Sequence, residues 1–186
     1  MIYARWFFLA LLDLLMLLTV PFAAVIVSAF TRAMPHGLEP YTWGWLWGTH
    51  DNPPQGDEGY VRKRSLFPGV TDGWRGYINR ALWMIRNPLY GLAKRCEIVK
   101  EPDMVLTYTG NPDISDKDRI PGWYFAQLHQ DGKLVGFELY AVLPYTKSRC
   151  LRTRLGWKIM SRRFRDEHYA QLVNTFNPFD GYGDNT

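Results

Sequence analysis

Cysteine is scarce in this chain. Cys96 and Cys150 are the only two, more than fifty residues apart, and neither sits in a C-x-x-C pair. That spacing gives no support to a zinc ribbon or a thioredoxin-like redox motif, and two buried free thiols are the expectation. A disulfide would need an oxidising compartment and strand ends that meet. Signature motifs are missing as well: no nucleophile–base pair stands out, and the D-x-[DN]-x-[DN]-G calcium loop is absent. No cofactor, metal or catalytic residue is therefore assigned. A net charge of +4 is only a mild excess, and by itself it does not argue for nucleic acid.

Apolar and aromatic residues are plentiful. They reach 47% and 16%, with 8 Trp among 186 residues, enough for a packed core rather than a disordered tail. The chain has room for one anchor and one domain. Trp6 to Phe30 is a run of 25 residues whose only charge is Asp13. A helix rising about 1.5 Å per residue needs roughly 20 apolar residues to cross a bilayer core. Residues 1–32 are thus expected to be a retained transmembrane anchor. Val27-Ser28-Ala29 would suit signal cleavage, but the run is longer than a signal's apolar region. Asp13 is expected either to meet another membrane helix, as in a homo-oligomer, or to stay protonated within the span. Pro21 removes one helix hydrogen bond and is expected to kink it. The basic flanks, Arg5 and Arg32, lean toward an inside N-terminus in a single-pass topology, which would put the domain on the far side.

Residues 33–73 read as a loop-rich aromatic collar punctuated by Pro35, Pro40, Pro53, Pro54 and Pro68. Trp43, Trp45 and Trp47 alternate with small and apolar residues, so an extended chain would put three indoles on one side. They suit an interfacial belt, packing under the core, or a partner surface. The loop that follows carries His50, Asp51, Asn52, Asp57 and Glu58. Asx turns ahead of Pro53-Pro54 account for much of its composition. It is still the most chemically suggestive stretch, and these residues with the three tryptophans form the candidate partner-binding set.

Residues 74–186 are expected to form the α+β domain. From Gly73, apolar residues Trp74, Tyr77, Ile78, Ala81, Leu82 and Ile85 recur at helical spacing, with Asp72 as N-cap and Asn87-Pro88 as breaker. This amphipathic helix is expected to cover a sheet. From Glu97 the period becomes two. Candidate strands are 104–108, 122–129, 134–143 and 153–160, with Gln130-Asp131-Gly132-Lys133 as a hairpin turn. A small antiparallel sheet of four to five strands follows, with a short helix near 162–174 and a loose tail. Arg149 to Arg165 holds seven basic residues and no acid. On a strand Arg152, Arg154 and Lys158 would share a face, suited to anionic lipid headgroups more than to nucleic acid.

Two segments carry a resemblance. Trp83-Met84-Ile85-Arg86-Asn87-Pro88-Leu89-Tyr90-Gly91 and the stretch from Trp47 to Asp57 resemble an uncharacterised family of small bacteriophage-encoded single-span membrane proteins; Leu155-Gly156-Trp157-Lys158 extends the likeness loosely. The resemblance implies a phage origin and the bacterial inner membrane of the host, and it carries over no catalytic residue. The leading expectation is a non-enzymatic interaction module with a protein partner, serving host takeover, superinfection exclusion or lysis. An enzyme using His50, Asp51, Asp57 or Glu58 together with His129, or a structural virion component, are the alternatives.

Overall fold

A computed structural model describes residues 1–30, 60, 65–86, 93, 95–166 and 168–183. The chain divides into two compact units, Met1–Phe8 with Cys96–Thr186, and Leu9–Arg95. The fold is α+β: a long apolar N-terminal helix, a further helix and a five-stranded antiparallel sheet.

Helix α1 spans Ile2–Phe30. It runs unbroken through Pro21, which lacks the N–H that would bond the Leu17 carbonyl one turn back. Its first turns belong to the first unit and the remainder to the second.

In the second unit, helix α2 (Gly73–Arg86) begins where Gly76 N–H donates to the Asp72 carbonyl, so Asp72 does occupy the capping position. The helix buries Gly76, Asn79, Ala81, Trp83 and Met84. This face is rotated from the one the hydropathy spacing predicts, and Trp74 and Leu82 of that stripe are exposed. The reason is local. Trp83 and Met84 pack with Val20, Ala24 and Val27 of α1 and with Tyr60. Asn79, polar but buried, accepts from Phe67 N–H and donates to the Phe67 and Val70 carbonyls. An amide that satisfies three backbone groups at once has the cost of its desolvation offset by those bonds, which a hydropathy count cannot register.

The first unit holds the sheet, ordered β2-β3-β4-β5-β7. Its strands are β2 Val105–Gly110, β3 Gly122–Gln130, β4 Lys133–Pro144, β5 Arg149–Trp157 and β7 Leu172–Gly181, all pairing antiparallel. Two short strands, β1 (Ile98–Val99) and β6 (Tyr169–Ala170), pair separately, and α3 covers Arg162–Asp166. The β3–β4 turn is the expected one. Asp131 and Gly132 both take positive φ, 50° and 72°, as a two-residue type I′ hairpin requires.

The carboxyl-terminal segment corrects the sequence reading. Helix α3 ends at Asp166, and the chain continues as β6 and β7 where a short helix near 162–174 and a loose tail were expected. β7 pairs with β5 from Arg149↔Gly181 to Trp157↔Leu172. Val173, Thr175 and Phe176 favour a strand, and β5 has an edge whose N–H and C=O groups need partners. β5 itself begins at Arg149 rather than Thr153 and ends at Trp157.

Candidate functional site

Side chains alternate across the sheet, so the paired register sorts its residues into two faces. The first carries a polar network. Tyr124, Tyr140 and Arg154 are register neighbours, as are Ala126, Glu138 and Gly156. Glu138 is 0% exposed. Its Oε1 accepts from Tyr124 Oη (2.8 Å) and from Arg154 Nε (2.6 Å), and its Oε2 accepts from Met160 N–H (2.8 Å). Beside it, Arg152 pairs with Asp116 (3.2 Å) and Asp180 (2.5 Å), and Tyr140 Oη donates to Asp116 Oδ1. The Arg154 guanidinium lies 5.0 Å from the centroid of the Tyr140 ring.

The electrostatics follow from burial and these partners. Burial, reinforced by the Glu138 charge, pushes the Tyr124 phenol far above its ordinary value. Burial followed by Asp116 pushes Tyr140 up to about 12. For Arg154, burial alone would weaken protonation, but Glu138 outweighs it and holds the guanidinium more firmly charged. Both oxygens of Glu138 have short, specific donors, and the tyrosines are held neutral. Such an arrangement fixes strands to each other. Among the described residues, no group of three or more His, Cys, Asp or Glu is placed to hold a metal ion.

The opposite face has two zones. At one end, the first turns of α1 are seated on it. Trp6 Nε1 donates to Asn174 Oδ1 (2.7 Å), and Gln127 Nε2 donates to Tyr3 Oη (3.3 Å). The Tyr3 and Trp6 rings pack on Phe137 at 4.9 and 5.5 Å, Phe137 packs on Trp157 at 5.9 Å, and Arg5 lies over Trp157. Trp157 in turn donates from Nε1 to the Cys96 carbonyl. At the other end, the register Trp123↔Ala141↔Thr153↔Phe176 draws one row across four strands. Trp123 is 49% and Phe176 70% exposed, with Leu143 exposed next to them. Large aromatics in this position are what protein interfaces use as anchors.

The residues singled out from sequence fall in different places. Trp43, Trp45, Trp47, His50, Asp51, Asn52, Asp57 and Glu58 all lie outside the described residues. His129 is on β3, opposite Val105 and Leu134. Asp13 is half-buried on α1. Arg152 and Arg154 do share a face, but they are engaged by Asp116, Asp180 and Glu138, so that face is not a bare positive stripe. Lys158 lies just past the end of β5, where its N–H donates to the Gln171 carbonyl. Cys96 and Cys150 are both free thiols; Cys150 is buried and Cys96 half-buried. Glu138 and its partners were missed. The available signal was an acid at an inward position of an apolar strand, two strand-lengths of sequence from an arginine on the same face.

Fold and faces together define an α+β protein with an N-terminal apolar helix long enough to span a membrane, a further helix and a five-stranded antiparallel sheet. The chain belongs to the Family of unknown function (DUF7338), whose model matches residues 1–184. No curated protein and no solved structure matches it.

Proposed function

We propose that this chain is a membrane-held, non-enzymatic interaction module. The observation that carries the reading is α1. Its most apolar stretch is only 17% buried, unlike the core helix of a water-soluble protein. Leu11, Leu15, Leu18, Phe22 and Ile26, spaced at three and four residues, are all exposed. So large an apolar surface on a helix of this length is stable in lipid and costly in water.

The exposed row of Trp123 and Phe176, with Leu143, is the surface we assign to a protein partner. Rigid aromatic rings on a sheet bury large area at little entropic cost. The self-satisfied Glu138 network, by contrast, suits scaffolding of that sheet. The phage resemblance supplies a setting, the host inner membrane, where host takeover, superinfection exclusion or a lysis accessory role would each need a partner.

The test is crosslinking and pulldown of tagged full-length protein from infected host membranes, beside a Trp123→Ala/Phe176→Ala variant. A defined host or phage protein recovered with wild type and lost with the variant supports the module. Equal recovery by both refutes the aromatic row as the contact. Protein found in the soluble fraction refutes the membrane anchor.

A further inference from the structure

We infer that the amino terminus and the five-stranded sheet lie on the same side of the membrane, so that the chain enters and leaves the bilayer on one side and is not a single-pass anchor. This rests on the reading of α1 as a lipid-contacting helix.

The argument is one of parity. Met1–Phe8 and Cys96–Thr186 form one compact unit. Separate contacts fasten them: Trp6 to Asn174, Tyr3 to Gln127, Tyr3 and Trp6 to Phe137, and Arg5 over Trp157. Groups at hydrogen-bonding distance cannot have a hydrocarbon layer of about 30 Å between them. A chain that leaves this unit after Phe8 and rejoins it at Cys96 therefore crosses the bilayer an even number of times. Either α1 lies along the interface and crosses nowhere, or it crosses and the chain is back on the first side by Cys96. Every odd number of crossings is excluded, including the single crossing that the hydropathy of the chain suggests.

The second unit independently shows the far half of α1 accompanied by protein. Tyr77 Oη donates to the Val25 carbonyl at 2.9 Å, and an Arg80 nitrogen lies 3.5 Å from the Ser28 carbonyl. The Arg80 contact falls in the last turn of α1, where carbonyls lack helical partners and the helix dipole favours a cation. Trp83 and Met84 cover Val20, Ala24 and Val27, while Phe22, Ile26 and Phe30 stay exposed. Lipid is the occupant of this outer side; the inner side is already taken by α2, nine residues before the chain rejoins the sheet. A lone span would have no reason to bury one stripe and expose the rest.

The inference is tested in the full-length protein expressed in bacterial membranes. Ala4→Cys and Lys117→Cys, both at exposed positions, are introduced one at a time. A cysteine placed ahead of Met1 replaces the first should Ala4→Cys disturb docking. Each is treated with a membrane-impermeant maleimide in right-side-out and in inverted vesicles, with the unsubstituted chain as background. Labelling of both positions in the same vesicle preparation, and protection of both in the other, is the expected result. Labelling in opposite preparations overturns the shared-side inference while leaving membrane residence intact. Release of the protein by alkaline carbonate overturns the membrane reading, and this inference with it.

Discussion

Trp6 and Asn174 are 168 positions apart, yet the indole N–H of the first donates to the side-chain oxygen of the second at 2.7 Å. The bond holds the start of an apolar helix against the last strand of the sheet. It converts a hydrophobic segment that would otherwise be a tether into a structural part of the domain.

Replacing Trp6 by Phe keeps the ring against Phe137 and removes the donor. We expect a loss of about 1 kcal/mol, the usual net value of such a bond, seen as a lower midpoint of thermal unfolding in detergent. Asn174→Ala should give a similar loss, and the double variant no more than either alone. Additive losses would show that the two residues act independently.

Glu138 is the centre of the polar face, and its removal should be felt more strongly. Glu138→Gln leaves the Arg154 guanidinium beside a neutral amide in a buried place, and breaking such a pair costs about 3–5 kcal/mol. Denaturant unfolding followed by circular dichroism measures it. A change under 1 kcal/mol would show that water reaches the pair and screens it.

Alkaline stability should fall in a defined window. Tyr140 ionises near 10 when unfolded and at about 12 in the fold, chiefly because of burial. Above pH 10 the unfolded chain therefore binds fewer protons than the folded one, and stability declines as pH rises toward 12. Tyr124, raised further, extends the same trend. Unfolding free energies measured from pH 8 to 12 should drop for wild type and flatten for Tyr124→Phe/Tyr140→Phe. Parallel slopes would assign the decline to other groups.

Gly156 takes φ of +101°, and a Cβ there would sit 2.1 Å from the Phe137 carbonyl oxygen. Backbone strain of about 1–3 kcal/mol adds to that clash. Gly156→Ala should thus unfold the sheet well below the wild-type temperature. Gly132, also at positive φ but with open space around it, should lose only about 1 kcal/mol on the same change. Equal effects of the two would mean that the clash relaxes without cost.

The secondary structure was legible wherever local chemistry decided it. The helix of residues 2–30 follows from a long apolar run whose only charge after Arg5 is Asp13, β2 to β4 from period-two alternation, and the hairpin from Asp131-Gly132. The Asn87-Pro88 break lies outside the described residues. β7 was not legible, because Asn174, Asn177, Pro178 and Asp180 look like turn residues until β5 supplies an edge to pair with. The buried face of α2 was misread for a related reason: Asn79 counts as polar by itself, and only the backbone groups of Phe67 and Val70 make its burial favourable. The polar face was half visible, since Arg152 and Arg154 stood out as basic but their acids come from positions 116, 138 and 180.

What the chain determined by its sequence alone is composition and period: an apolar helix long enough to meet lipid, then alternating strands, then turns where glycine and asparagine permit them. Those are properties of neighbours within a few residues. Tertiary structure decided which charges cancel, which strand closes the sheet, and that Tyr3 and Trp6 return to Phe137. These depend on contacts between residues far apart in the chain, from Arg154 with Glu138 to Trp6 with Asn174, whose free energy appears only once the sheet exists to receive them.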